Sequence, residues 1–143
     1  MKILFAIFTM VFSSYAIAQT GTLHAGVYNW SSSEIKKTAG VEKRQVLAGK
    51  TLDLKTFEIY TLTLPAGKTF IPPATDDKFE RLIVVKSGTV KLSLKDTAQI
   101  VGFGSLALVL AGDKISFQNT SNQPAAWYVI RYESVNPPDI KRG

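Results

Sequence analysis

A chain of 143 residues with 17 basic against 11 acidic side chains, a formal net charge of +6, one histidine and no cysteine fits a single domain around one hydrophobic core. The missing thiols exclude disulfides, thiolate metal sites and lipid attachment through a lipobox cysteine, and the lone imidazole, His24, leaves a serine nucleophile little to use as its base. The basic residues are scattered rather than gathered on one stripe with interleaved aromatics, so the charge describes a solvated surface and not a nucleic-acid binder.

Residues 1–18 read as a secretory signal: Lys2, an apolar run over 3–12, then Ala16 and Ala18 in the small-x-small spacing of a signal-peptidase site. The run is 10 residues long, where a bilayer span needs about 20. The expectation is an exported protein, periplasmic or extracellular, with no stable membrane insertion. Loss of residues 1–18 removes one cation, Lys2, and leaves a net charge of +5.

The exported chain divides into an N-terminal arm with the first strands over 19–50, a barrel over 51–134 and a tail over 135–143. Residues 19–26 are small and polar, a mobile lead-in, and 27–30 form a short strand or arm with two aromatics. Ser31 to Glu34 carries the signature of a cap, which predicts a helical turn through Ile35 and Lys37. Residues 41–48 and 52–64 are extended, the second rich in β-branched and aromatic side chains. Pro72, Pro73, Asp76 and Asp77 make 68–78 an exposed loop or sheet edge, because proline donates nothing to a ladder. Strands then follow over 82–85, 90–94, 99–103, 105–110, 114–118 and 125–132, with a turn cluster at 119–124. About nine strands at 8- to 12-residue spacing predict an all-β antiparallel barrel or sandwich. Several strands carry apolar side chains on both faces, more than one core buries, which predicts a homodimer through an outer sheet face.

The stretch from Glu80 to Asn119 is the most patterned. Gly104, Gly112 and Asn119 keep step with the second sequence motif of the cupin superfamily, and Gly88 marks the end of its first motif. The chain therefore resembles a small single-domain bacterial cupin, and the resemblance implies a cupin-like antiparallel β-barrel, or double-stranded jelly roll. Such cupins bind a divalent metal through histidines and a glutamate. Here Ile115 stands at the second-motif histidine, Arg81 at the glutamate, and Thr75 and Asp77 near the two first-motif histidines; Leu110 replaces the motif proline. Glu80 is one residue out of register, which turns it to the opposite face of its strand. No metal and no cofactor are expected, since an arginine that never deprotonates repels cations. Asp76, Asp77 and Glu80 lack the spacing of a calcium loop. Gly102 and Gly104 lack the third glycine and the helix of a dinucleotide site.

Three functions remain open on these residues. The first is a metal-free barrel binding a small ligand, anionic or a sugar, through Arg81, Tyr60, Asp77, Arg131 and Tyr128. The second is an enzyme, either a metal-independent isomerase or lyase or one with an unusual oxygen-ligand metal site. The third is a structural or interaction module whose barrel is filled by Ile115 and Phe117. Asn119 is expected to close a turn.

Overall fold

A computed structural model describes residues 21–136, so the predicted signal and the end of the tail lie outside the described residues. Ten strands form: β1 (Ile35–Thr38), β2 (Val41–Gly49), β3 (Leu54–Leu64), β4 (Thr69–Phe70), β5 (Glu80–Ser87), β6 (Val90–Leu94), β7 (Thr97–Val101), β8 (Leu106–Val109), β9 (Ile115–Gln118) and β10 (Ala125–Ser134). They build two antiparallel sheets, a six-stranded one in the order β1-β2-β3-β10-β5-β8 and a four-stranded one in the order β4-β9-β6-β7.

The two-residue period of a strand decides what lies between the sheets. On β5, Arg81, Ile83 and Val85 are buried while Leu82 and Val84 are partly exposed. On β10 the buried phase is Ala125, Trp127 and Val129. The ladder pairs Trp127 with Leu62 and Val85, and Val129 with Tyr60 and Ile83, so one inward face runs unbroken across β3, β10 and β5. Opposite it stand Val90, Leu92, Ile115 and Phe117. Phe117 stacks on Trp127 with ring centroids 4.3 Å apart, which fixes the two sheets face to face.

Two turns show why the chain closes this way. Gly88 has φ +70°, and a Cβ there would come within 2.6 Å of the Pro124 carbonyl oxygen, so the β5–β6 turn needs glycine for both its conformation and its close approach. Asn119, fully buried, donates through Nδ2 to the Leu64 and Gln123 carbonyls at 3.1 and 2.7 Å, while its Oδ1 accepts from the Ser121 amide and hydroxyl. That is the turn-closing role expected of it.

The N-terminal region departs from expectation. The short helical turn falls at Trp30–Ser32, capped by Asn29, whose Oδ1 accepts from the Ser31 amide at 3.0 Å. Residues 35–37, expected to be helical, instead belong to strand β1. Ala39 and Gly40, at φ +46° and +79°, form a tight reversal that pairs Thr38 with Val41, and the ladder to β2 outweighs the local capping signal. The lead-in is pinned as well: Leu23 donates to the Lys50 carbonyl at 2.8 Å, and Lys50 to that of Gly21 at 3.2 Å. The 68–78 segment supplies edge strand β4 and a 3-10 turn at Ala74–Lys78.

Candidate functional site

One inward row of the six-stranded sheet is charged where its neighbours are apolar. Glu58 on β3 pairs with Arg131 on β10, Arg131 with Arg81 on β5, and Arg81 with Val109 on β8. Two guanidinium groups on adjacent strands repel, and each needs compensation to stay buried. Arg131 has it from two carboxylates: Nη1 donates to Asp76 Oδ1 at 2.5 Å and Nη2 to Glu58 Oε2 at 2.6 Å, and its guanidinium carbon stands 4.4 Å from the Phe79 ring centroid, though its Nε, like that of Arg81, has no hydrogen-bond partner among the described residues. Arg81 is compensated far less. It is 2% exposed, its Nη2 donates to the Asp113 carbonyl at 3.1 Å, the nearest carboxylate is Asp77 at 3.9 Å, and its Nε has no hydrogen-bond partner among the described residues.

Above this row the sheets part around a cavity of about 400 Å³. Phe70, Phe117, Ile115, Leu62, Ile83 and Val129 form its apolar walls. Its charged lining is Lys36, Lys37, Lys43, Arg81 and Arg131 against Asp76 alone, and Asp76 is already held by Arg131. The interior field is therefore positive. Lys43 reaches in from β2 with its ammonium 3.9 Å from the centre of the Tyr60 ring. Burial, and then the Arg131 charge, lower the pKa of Lys43, with Glu58 acting in the opposite sense. Burial raises that of Tyr60, with Asp76 as the next cause.

Arg81, Tyr60 and Arg131 are thus brought together around one cavity. Asp77 stands behind Arg81, outside the lining, and is shared with Lys114 at 3.7 Å. Tyr128 is not in the site. It belongs to the opposite phase of β10 from Trp127 and Val129, and its ring lies 5.7 Å from the Lys86 ammonium on the outer face. Ile115 and Phe117 serve as a wall and leave the cavity open. Sequence reasoning missed Lys43, Glu58 and Asp76 as site residues. Lys43 and Glu58 carry a signal in the two-residue period of β2 and β3, whereas Asp76 is placed by a loop with no period to read.

The lining does not fit a divalent metal. The two positions at which a cupin would offer a carboxylate and an imidazole are filled by Arg81 and Ile115, both lining the cavity. No group of three histidine, cysteine, aspartate or glutamate side chains suited to a metal ion occurs among the described residues. His24 is exposed on the N-terminal arm.

The architecture is a double-sheet jelly roll with a ligand-sized cavity between its sheets. Solved structures place it more closely. At a TM-score of 0.61 and 13% identity, the chain resembles a predicted oxalate decarboxylase from Thermotoga maritima, over 75% of this chain and 98% of that one. It resembles a Cupin 2 conserved barrel domain protein from Salinispora arenicola at 0.61 and 9%, over 78% and 91%. It also resembles the polyketide cyclase RemF from Streptomyces resistomycificus at 0.59 and 15%, over 79% and 83%. The chain has the cupin fold. Its sequence matches no protein-family model and no curated protein.

Proposed function

We propose that this protein binds a small organic anion, a carboxylate on an apolar body, between the sheets of its barrel. The observation that carries the reading is Arg81: a permanently charged side chain, 2% exposed, lining an apolar cavity with one backbone carbonyl as its hydrogen-bond partner among the described residues. Desolvating a guanidinium without a matched carboxylate is costly, and a bound carboxylate supplies the missing bidentate acceptor. Lys43 and Tyr60 add a second cation and a hydroxyl on the same cavity. The volume of about 400 Å³ suits such a ligand, since small-molecule sites run from roughly 300 to 1,000 Å³. The reading requires no metal and no chemistry on the ligand. It also takes the protein to act outside the cytoplasm, supported by the signal pattern of residues 1–18.

Calorimetric titration with aryl and alkyl carboxylates, each beside its uncharged primary amide, tests the reading on the unaltered protein. The acids are expected to bind at least about tenfold more tightly than the amides, one charge-assisted pair being worth more than 1.4 kcal/mol, and a chelator should change nothing. Amides that bind as well as their acids would overturn it.

A further inference from the structure

Anion binding uses Lys43 only for its charge, yet its surroundings suit a different chemistry. Lys43 pairs on β2 with Leu62, which in turn pairs with Trp127, so it belongs to the inward phase of the six-stranded sheet. Its ammonium stands 3.9 Å from the centre of the Tyr60 ring, on the wall of the cavity. No ion pair joins it to a carboxylate among the described residues. Glu58 and Asp76, the two acids whose charge reaches it, are both held by Arg131. A half-buried amine on a ring face, with a guanidinium nearby, holds its proton less firmly than one in water, and the neutral amine is a nucleophile. The shift has that direction: burial lowers the pKa of Lys43, Arg131 and Lys36 add to the effect, and Glu58 and Asp76 oppose it. Lys36 and Lys37 line the same cavity from β1 but are exposed, and so keep their hydration.

We propose that Lys43 captures the carbonyl group of an oxo acid as a reversible imine, while Arg81 holds the carboxylate of the same molecule. The inference rests on the anion reading for the acid end of the ligand and goes beyond it at the other end. The neutral Nζ adds to the carbonyl carbon, an amine proton passes to the carbonyl oxygen, and loss of water leaves a C=N bond in place of C=O, with nothing oxidised or reduced. Protonation of the imine then restores a cation beside the Tyr60 ring, which stabilises it. The strand order selects the ligand. Lys43 on β2 and Arg81 on β5 are three strand intervals apart, about 14 Å at the backbone, with Tyr60 and Val129 on the strands between them. The two side chains reach toward each other and leave a gap for several bonds. The carbonyl is therefore remote from the carboxylate, and the carbon between them meets the apolar walls at Leu62, Ile83 and Phe117.

Reductive trapping tests this on the unaltered protein. para-Formylbenzoate, an aldehyde and a carboxylate on opposite ends of an apolar ring, is incubated with cyanoborohydride at neutral pH, and the modified lysines are located by peptide mass. The hydride fixes the imine as a secondary amine, so each adduct adds the mass of the probe less one oxygen atom. Lys43 is expected to be modified at least about tenfold faster than Lys36, Lys37 or any other lysine, because only a desolvated amine is substantially neutral there. Lys43→Arg keeps the cation and cannot form the imine, and should reduce total modification to the slow background. para-Formylbenzamide, which lacks the charge, should modify Lys43 about tenfold more slowly or less. Modification spread evenly over the lysines, or undiminished in Lys43→Arg, would overturn the imine; benzoate that still bound in calorimetry would then leave the anion reading standing. Equal rates for the acid and the amide at Lys43 would overturn the oxo acid as its ligand.

Discussion

The interior of this jelly roll has two unlike ends on the same strands. At one end Leu64, Val90, Ala125 and Trp127 are all at most 1% exposed and pack without charge. At the other, a few residues along β3, β10 and β5, the same inward phase presents Glu58, Arg131 and Arg81. The contrast teaches what each half is for. The dry end holds the sheets together by buried area, while the charged end spends part of that stability on a constellation that apolar side chains would occupy at lower cost. Within the charged end the division repeats, because Arg131 is clamped by two carboxylates at 2.5 and 2.6 Å and Arg81 is not. Arg131 is structural scaffolding, and Arg81 is the cation that the proposed anion would meet.

The largest effect should come from the dry end. Trp127→Ala removes the ring stacked on Phe117 and opens a void the sheets do not refill, for a loss of about 4 kcal/mol in denaturant unfolding. Next comes the clamp: Arg131→Gln leaves Glu58 and Asp76 facing each other without their cation, and should cost about 3 kcal/mol. Arg81→Gln should behave differently, since it removes a cation that also repels Arg131 across the ladder. Stability should move by no more than about 1 kcal/mol while carboxylate affinity falls by about 10- to 100-fold. Equal stability losses for the two arginines would erase the distinction between scaffold and site.

Much of this was legible in the chain. Counting back from Gly88 placed Arg81 at the motif's glutamate and left its direction open, and the parity of β5 makes Arg81, Ile83 and Val85 one inward face. Parity also rules against Tyr128, which stands three residues from Arg131 and so cannot share its face. What parity cannot give is partnership across long separations. Glu58 and Asp76 reach Arg131 from 73 and 55 residues away, through a ladder pairing in one case and a loop in the other. The helical turn expected at 35–37 failed for a related reason. A local cap was visible, but the long-range pairing of β2 with β3, which gives β1 a sheet to join, was not.

The smallest expected effect, and the one that sharpens the electrostatic side of the comparison, is a pH dependence with two opposing limbs. Lys43 has its pKa lowered from 10.5, chiefly by burial and then by Arg131. Its charged form is thus disfavoured in the folded state, and between the folded value and 10.5 the unfolded chain binds the extra proton. Stability therefore rises with pH through that window, as the folded lysine sheds a charge it holds at a cost. Tyr60 acts with the opposite sign. Its pKa is raised from 10.0, first by burial and next by Asp76, so above pH 10 the unfolded tyrosine ionises while the folded one keeps its proton, and stability falls. Urea unfolding followed from pH 7 to 11 should show a shallow rise toward pH 10 and a decline beyond it. Lys43→Met should flatten the first limb and raise stability at pH 7, and Tyr60→Phe should remove its share of the second. A rising limb that survives in Lys43→Met would mean that the lysine is solvated rather than held over the Tyr60 ring, and the second cation of the cavity would then be lost from the site.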